Sequence, residues 1–491
     1  MRRESTATAI GLTTAFLAFA GNVVAAEAAL KFEDCRLASE TGRGAFSAHC
    51  AWYDVAENRD MPNGKHIRIH IAVVPALRKQ GAPDPVFIVS GGPGQAASDF
   101  YLSSRAAFER LRRERDIVVV DQRGTGKSNR LDCELPDELE TIRFDKQQLQ
   151  KYERDCLTKL PGDPRYYTTS VAVRDLDEIR TVLGYRRINL YGISYGTRVV
   201  QHFMRRYPDT VRTAVLDGIV PVQTILGPEI APAAQTSLDA ILGRCASTPD
   251  CRTAFPTVAS EFSKLHARLI SDTIPITIAD PRTASSDRIE FSAAHLGIAV
   301  RLMSYQDDTA ALLPFLIHEA SEGRPQAMAA QALMVSRRIG DQVANGMNNA
   351  VVCTEDVPFF TPQALADPAI PRSYLGRDFV EALRATCEVW PKGVIDSDFH
   401  APLVSEIPVL LMSGQNDPVT PAQFGEQALK GFRRGKHIVF PGQGHGQINS
   451  LCGVSLMDRF IQSGSAENLN ADCVSRVLPA PFMLDANTPG P

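Results

Sequence analysis

Short runs of consecutive apolar residues, spaced along most of the chain, constrain its fold more than any other feature. These runs lie at residues 86–89, 117–120, 188–191, 214–216, 409–412 and 438–440. Unbroken apolar runs of this length are typical of strands that are buried on both faces of a sheet. The segments between them include clear helical periodicity, as in residues 173–183. Buried strands separated by helices predict an α/β fold, with a mostly parallel central sheet flanked by helices.

Residues 224–401 interrupt this pattern with helix-like segments, proline-rich joints and few apolar runs, and strand-like runs resume at residue 409. The chain has 491 residues, more than one compact domain usually contains. We therefore predict a sheet domain in two parts, residues 27–223 and 402–491. An inserted, mainly helical cap subdomain at residues 224–401 separates the two parts.

The N-terminus has the pattern of an export signal. Arg2 and Arg3 precede an apolar segment at residues 15–20, and small residues lead up to Ala26. This order is typical of a signal peptide, here residues 1–26. The alternative is a short membrane anchor, but the apolar segment is well short of the ~20 residues that a membrane span needs. We expect an exported protein, periplasmic or extracellular, without a membrane anchor.

Ten cysteines fit that location. They are even in number and scattered from Cys35 to Cys473, which favours structural disulfides over a compact metal cluster. Pairing of neighbours along the chain is the simplest arrangement, although several free buried thiols are the alternative. The expected pairs are Cys35–Cys50, Cys133–Cys156, Cys245–Cys251, Cys353–Cys387 and Cys452–Cys473.

The charge balance argues against polyanionic partners. The chain has 52 Lys and Arg against 56 Asp and Glu, a formal charge of -4. Such a balance gives no general reason to expect binding of nucleic acid or of an anionic membrane. The segment 121–128 ends in Gly-Lys-Ser, but a phosphate-binding Walker loop needs glycine where this chain has Asp121. We expect no cofactor and no metal, and the sequence leaves the oligomeric state open.

The motif that indicates chemistry is Gly192-Ile193-Ser194-Tyr195-Gly196, of the form G-x-S-x-G. It directly follows an apolar strand run and precedes a helical pattern, which is the context of a nucleophile elbow. The glycines permit a tight turn that presents the Ser194 hydroxyl group above the carboxyl end of the sheet. The alternative is a structural serine at a helix start.

A nucleophilic serine needs a base, and the base needs an acid that orients it. In this architecture the order along the chain is serine, acid, histidine. His445 follows the last strand run, and Asp417 follows the run before it. Asp217 is the rival acid, although its neighbour Gly218 suggests a turn instead. The sequence favours Asp417 as orienting acid and His445 as base.

Two backbone donors are also needed to stabilise the negative oxygen that develops during acyl transfer. The amide group of Tyr195 is one candidate, because it directly follows the predicted nucleophile. The glycine-rich segment 90–94, just after the run 86–89, is the natural source of the second, with a plain turn as its alternative.

Taken together, these motifs resemble the α/β-hydrolase fold. More narrowly, the chain resembles the prolyl iminopeptidase and tripeptidyl aminopeptidase family of secreted bacterial serine exopeptidases. The resemblance spans nearly the whole mature chain and is carried by residues 90–94, 121–128, 192–196, Asp417 and His445.

The resemblance implies roles for individual residues. It makes Ser194 the nucleophile, Asp417 the orienting acid, His445 the base, and Tyr195 and Gly92 the oxyanion donors. It also implies a cap between the sixth and seventh core strands.

Two further expectations concern neighbouring segments. Asp121 and Arg123 are expected to tie loops together beneath the site. The first glycine motif begins with Ser90, where prolyl iminopeptidases often have histidine. This departure favours the tripeptidyl branch, or a relative of broader specificity, over strict proline specificity.

An exopeptidase must recognise the free α-ammonium group of its substrate, most directly with a carboxylate in a confined site. Similar cap segments in the aminopeptidase relatives suggest Glu355 as the amine anchor, with Asp356 beside it. The alternative is that both are solvated loop acids.

We therefore expect a serine hydrolase that removes short peptides or single residues from the free N-terminus of peptides. Its partners would be peptide substrates. A secreted carboxylesterase with the same three residues is the alternative enzyme. A hydrolase-like binding protein without catalysis is the alternative from another class.

Overall fold

The computed structural model describes residues 1, 30–38, 45–133 and 144–487. The predicted signal peptide lies outside these residues, apart from Met1, and remains a prediction. Among the helices of the described part, none is both long enough and apolar enough to cross a bilayer.

A large mixed sheet forms the centre of the fold. The strands are β1 (Glu33–Ala38), β2 (Ala45–Ala56), β3 (His66–Val74), β4 (Val86–Val89), β5 (Ile117–Val120), β6 (Ile188–Ile193), β7 (Val211–Asp217), β8 (Ile274–Ala279), β9 (Ser286–Phe291), β10 (Val409–Gly414) and β11 (Gly435–Phe440). The sheet order is β1-β2-β3-β5-β4-β6-β7-β10-β11, and β8 and β9 form a separate hairpin. Six strands of the large sheet pair in parallel: β4, β5, β6, β7, β10 and β11. Strands β1, β2 and β3 pair antiparallel with their neighbours. The predicted mostly parallel sheet is confirmed.

Helices flank the sheet on both sides. In chain order they are α1 (Ala97–Ser104), α2 (Glu109–Arg112), α3 (Lys146–Leu157), α4 (Thr169–Val182), α5 (Tyr195–Arg206), α6 (Ile230–Ser247), α7 (Pro249–Ala254), α8 (Val258–Ser271), α9 (Ala293–Met303), α10 (Asp307–Ala310), α11 (Leu313–Ser321), α12 (Gln326–Gln342), α13 (Asn345–Glu355), α14 (Pro362–Leu365), α15 (Ala369–Arg372), α16 (Gly376–Cys387), α17 (Ala422–Leu429) and α18 (Leu451–Ser463). Short 3-10 turns connect several of them.

The parallel strands are apolar throughout because both faces of the sheet are covered. In β5, Val118 and Val120 pack into one apolar cluster, while Ile117 and Val119 pack into the cluster on the opposite face. Strand β10 divides in the same way. Each fully buried side chain of this size contributes about 1.5–3 kcal/mol, which explains why these runs identify the strands so clearly.

The sequence did not predict β1, β2, or the hairpin of β8 and β9. All four strands carry polar residues on an exposed face, so none of them contains an unbroken run of Val, Ile, Leu or Phe like those of the parallel strands. Because β1 adds a strand at the edge of the sheet, the helical insertion lies between the seventh and eighth strands of this sheet. The family resemblance implies a position between the sixth and seventh core strands.

The segment between β7 and β10 has an apolar cluster of its own, formed mainly by α6 to α12 and the hairpin. Helix α13 differs, because Met347 and Val351 pack into the main cluster against the sheet. Helix α13 therefore packs directly on the sheet, unlike most other helices of this segment.

All five expected disulfides are formed, and the described residues contain no free cysteine. Cys35–Cys50 joins β1 to β2 at the sheet edge. Cys353–Cys387 joins α13 to α16, two residues before Glu355. A native disulfide of this kind typically stabilises a domain by about 2–4 kcal/mol.

Candidate active site

Ser194 lies on a sharp turn between β6 and α5. Its backbone angles, φ of 55° and ψ of -127°, are values that residues other than glycine rarely adopt. Its backbone amide donates to Asp217 O at 2.9 Å. Such strain costs about 1–3 kcal/mol and is typical of functional sites, where the surrounding structure holds the residue in place.

The two glycines of the motif are required by close backbone contacts. A Cβ atom at Gly192 would lie 2.6 Å from Gly196 O. A Cβ atom at Gly196 would lie 2.4 Å from Val89 O and 2.5 Å from Ser90 O. These distances are far below van der Waals contact, so the turn forms only with glycine at both positions. The same contacts bring the end of β4 next to the turn.

Asp417 and His445 meet at the carboxyl ends of the neighbouring parallel strands β10 and β11. His445 Nδ1 lies 2.7 Å from Asp417 Oδ2, and both side chains are buried. Burial lowers the pKa of His445, but the charge and hydrogen bond of Asp417 outweigh burial, so this pKa lies above its ordinary value. The pair has the geometry of a base and its orienting acid.

Thr420 is a member of this arrangement that the sequence did not identify. Its hydroxyl group donates to Asp417 Oδ2 at 2.7 Å and lies 3.1 Å from His445 Nδ1. The amide groups of Val419 and Thr420 donate to Asp417 Oδ1 at 3.0 and 2.8 Å. The order Asp-Pro-Val-Thr is a recognisable turn signal, because an aspartate often accepts from amides two and three residues later.

Thr420→Val removes this hydroxyl group and keeps the shape of the side chain. Because the lost hydrogen bond is to a carboxylate, we expect kcat to fall about 10-fold, with KM changed less than about 2-fold. Steady-state kinetics on one ester and one peptide substrate measure the effect, and Thr420→Ser should restore kcat. A rise in KM alone, or no rescue by serine, would contradict this positioning role.

The rival acid, Asp217, has a different task. Its carboxylate accepts from the amide of Gln447 at 2.8 and 2.9 Å and from that of Ile448 at 3.2 Å. Tyr191 also donates to it, at 3.0 Å. Asp217 therefore holds the loop that follows His445, rather than capping a turn with Gly218 as the sequence suggested. Burial raises the pKa of Asp217 to about 6.

Gly218 instead makes room for the histidine ring. It has a φ of +63°, and a Cβ atom there would lie 2.8 Å from His445 Cε1. Any other residue would displace the ring or strain the backbone.

The glycine loop after β4 lies beside Ser194. A Cβ atom at Gly91 would be 3.1 Å from Ser194 Cβ and 3.8 Å from Ser194 Oγ. Gly92 has a φ of +105°, which favours glycine. Tyr195 is the first residue of α5, and the first amide groups of a helix have no partner within it. The loop and the helix start therefore face the same space, and the donor roles of Gly92 and Tyr195 remain predictions.

Residues of the cap segment hold the His445 loop from the other side. The amide of His445 donates to Tyr305 O at 2.7 Å, and Gln306 Nε2 donates to His445 O at 3.0 Å. The Tyr305 ring packs edge-on against the imidazole at a centroid distance of 5.1 Å. The orientation of His445 thus depends on the cap as well as on the sheet.

Glu355 lies at the end of α13 and is completely buried. Its carboxylate accepts from Thr169 N at 2.7 Å and from Thr169 Oγ1 at 2.9 Å. Thr169 Oγ1 also lies 2.7 Å from the hydroxyl group of Tyr195, which links Glu355 to the residue next to Ser194. Burial raises the pKa of Glu355 to about 8.

Asp356 is neutralised by a neighbouring cation. Arg198 Nη1 donates to both of its oxygens at 3.0 Å, and Leu226 N donates to Oδ1 at 2.7 Å. Both charged side chains are buried. This ion pair balances the charge of Asp356. The two neighbouring acids therefore differ in charge balance, because Glu355 has no cationic partner of its own among the described residues.

A third acid, Glu229, joins this group. Its Oε2 is buried without a hydrogen-bond partner among the described residues. Burial, together with the charge of nearby Asp356, raises the pKa of Glu229. The sequence did not identify Glu229 because it lies in an ordinary Gly-Pro-Glu segment before α6. Only the fold brings it near Asp356. Glu229, Glu355 and Asp356, with Arg198, are called the acid cluster below.

The segment around Arg123 is structural, in agreement with the prediction. Arg123 forms a bidentate ion pair with Asp175 at 2.5 and 2.8 Å, and its Nη1 donates to the carbonyl groups of Glu57 and Tyr166. Asp121 accepts from Ser98 N at 2.9 Å. Both side chains are buried and tie loops together beneath the site.

Comparison with known proteins agrees with this geometry. The sequence pattern described as the alpha/beta hydrolase fold matches residues 84–448. The serine protease Hip1 of Mycobacterium tuberculosis is 24% identical over 467 residues, which is 88% of each chain. A tripeptidyl aminopeptidase of Streptomyces coelicolor is 27% identical over 213 residues, 40% of this chain and 39% of that one. Carboxylesterase B of Mycobacterium tuberculosis is 27% identical over 418 residues, 77% of each chain.

The matched range runs from just before β4 to just after His445, and so includes the glycine loop, the serine turn and the acid–histidine pair. The described sheet, with its parallel strands and its turn at Ser194, is the architecture of this family. The chain belongs to the alpha/beta hydrolase fold family.

Proposed function

We propose that this protein is an exported serine aminopeptidase, which removes short peptides or single residues from the free N-terminus of peptides. Ser194 attacks the scissile carbonyl carbon while His445, oriented by Asp417, takes the hydroxyl proton. The amide groups of Tyr195 and Gly92 stabilise the negative oxygen. His445 then gives its proton to the leaving nitrogen, the C–N bond breaks, and water hydrolyses the acyl-enzyme.

The acid cluster is the observation that carries the choice of an aminopeptidase. It contains three carboxylates and one arginine, all buried or partly buried, and Glu355 is linked through Thr169 to Tyr195. Burial raises the pKa of Glu355 and of Glu229, and neither carboxylate forms an ion pair with a residue that the structure describes. A substrate ammonium group bound beside them would supply the missing cation and stabilise their ionised forms. Glu355, with Glu229, therefore anchors the substrate amine, and Asp356 contributes through its pair with Arg198.

The isosteric substitutions Glu355→Gln and Glu229→Gln test the amine anchor. Each removes a buried negative charge, and we expect KM for peptides with a free N-terminus to rise about 10- to 100-fold. Turnover of N-acetylated esters should change less than about 3-fold, because these lack the ammonium group. Glu322→Gln, an exposed acid of the same segment, is the matched control. Equal losses on both substrate types would contradict an anchoring role.

A carboxylesterase is the second candidate, favoured by the similarity to Carboxylesterase B over 77% of the chain. A panel of aminoacyl, dipeptidyl and tripeptidyl arylamides, set beside simple esters, distinguishes the two functions. Hydrolysis of the arylamides supports the peptidase. Ester hydrolysis without any arylamide hydrolysis would replace it with the esterase.

Export is supported by the five disulfides, since disulfides persist in oxidising compartments. N-terminal sequencing of the mature protein checks whether the chain begins after Ala26. An intact Met1 would contradict cleavage.

A further inference from the structure

A cavity of about 190 Å³ lies beside the His445 loop, between the cap segment and the sheet domain. On the cap side it is lined by Tyr305, Gln306 and Asp307. On the other side it is lined by the loop of His445 and Asn449 and by Leu478 from the C-terminal segment. Glu229, Glu355 and Asp356 do not line it, so this cavity is separate from the acid cluster.

We propose that this cavity binds the one or two substrate residues on the C-terminal side of the scissile bond. The inference rests on the proposed function and names a subsite for it. In the proposed mechanism, His445 donates its proton to the nitrogen that leaves, so that nitrogen must come within hydrogen-bond distance of the imidazole. The residue that carries this nitrogen therefore lies beside His445, which is one of the residues that line the cavity.

The position of the acid cluster supports a substrate orientation in which the C-terminal residues enter the cavity. The cluster is reached from Ser194 through Tyr195 and Arg198 of α5, and it receives the N-terminal part of the substrate. The remaining part must leave the site elsewhere. In the cavity wall the only carboxylate is that of Asp307, which already accepts from Ala480 N at 2.9 Å.

The cavity wall is suited to a peptide main chain. Gln306 and Asn449 present neutral amide groups, and Asn449 Nδ2 donates to Gln306 Oε1 at 2.7 Å. Asn449 is exposed, and its Oδ1 receives no hydrogen bond from any residue that the structure describes. A backbone N–H group of the substrate supplies the donor that this oxygen lacks. Uncharged amides match a main chain, which carries donors and acceptors but no net charge.

Part of the rim of the cavity is apolar. Leu478 is 77% exposed although it forms part of the wall, and Leu451, next to the lining residue Ser450, is 83% exposed. A substrate side chain that covers Leu478 removes apolar surface from water, which favours binding.

The size of the cavity limits its occupant. A pocket that encloses a whole small ligand usually measures about 300–1,000 Å³. A smaller space with an exposed rim accepts one or two residues of an extended chain, each about 3.3 Å long, and leaves the rest in solvent. The enzyme would therefore act on longer peptides, without an upper length set by this side of the site.

The test compares two substrates that share their N-terminal residues. The first is the best arylamide of the panel. The second is a peptide in which three residues replace the arylamine, and the first or second of these three is leucine. The variant is Leu478→Ser, and the control is Leu77→Ser, an exposed leucine that does not line the cavity. We expect Leu478→Ser to lower kcat/KM for the extended peptide about 3- to 10-fold. The arylamine occupies only the position beside His445, so the same variant should lower kcat/KM for the arylamide less than for the extended peptide, and the control should change neither.

Other outcomes separate the two proposals. Arylamide cleavage with no effect of Leu478→Ser on the extended peptide would overturn the subsite and leave the aminopeptidase standing. Equal losses on both substrates would also overturn it, because Leu478 would then act only by supporting His445. If the wild-type protein cleaves neither substrate but hydrolyses esters, the aminopeptidase itself fails, and the subsite fails with it.

Discussion

Replacement of Ser194 by alanine should lower kcat about 10⁴- to 10⁶-fold for every substrate, arylamide and ester alike. Without the hydroxyl group no acyl-enzyme forms, and only uncatalysed attack by water remains. The fold should be unaffected, because the Ser194 side chain forms no hydrogen bond with the residues that the structure describes. Initial rates and thermal melting of both proteins, measured side by side, check the two statements.

The control for this experiment is Ser104→Ala. Ser104 lies at the end of α1, where its hydroxyl group donates to Phe100 O, and the change should leave kcat as it is. Full activity in the Ser194→Ala protein would contradict covalent catalysis. It would also mean that the catalytic residues lie elsewhere in the chain.

Asp417→Asn should lower kcat about 10⁴-fold, since an amide no longer favours the tautomer or stabilises the cation that His445 must form. Asp217→Asn should lower kcat far less, by about 10- to 100-fold, and should lower the melting temperature. Asp217 contacts the loop after His445 through backbone amides and does not orient the ring. Steady-state kinetics and melting curves of the two variants therefore separate the two acids.

The pH dependence of the Asp417→Asn enzyme provides a second measurement. His445 acts as a base only when neutral, so kcat/KM of the wild type should rise with pH, through a midpoint above the ordinary value of about 6.5. Without the charge of Asp417, burial remains as the main influence, and the midpoint should move to lower pH. An unchanged midpoint, or a larger kcat loss in Asp217→Asn, would transfer the orienting role to Asp217.

The parallel strands and the serine turn were predictable because each is set by local contacts. A strand buried on both faces, such as β5, must be apolar at every position. The glycines at 192 and 196 mark a turn with no space for a Cβ atom. Strands β1 and β2 were not predicted because they are not buried on both faces. One face of each is in water, and the resulting mixture of residues does not stand out from a loop.

The partners of the site residues were less predictable. The chain offered two acids that follow strands, Asp217 and Asp417, and chain order favoured the second. Hydrogen bonds across the fold show what each contacts, the His445 ring for Asp417 and the loop after it for Asp217. Glu229 carried no motif that links it to a site, since it becomes meaningful only beside Asp356. Thr420 ends a turn signal that begins at Asp417, but its contact with His445 depends on another part of the fold.

By itself, then, the sequence determined the α/β architecture and the serine turn, which depend on burial patterns and on contacts within a few residues. For the cysteines and for residues 224–401 it supplied only an expectation, neighbour pairing and an inserted helical segment. Only the tertiary structure decided which acid meets His445, which of two adjacent acids lacks a cation, and where a cavity adjoins the histidine. Such features depend on distances between residues that are far apart in the chain, as between Glu229 and Asp356. Burial pattern and spacing carry no record of those distances.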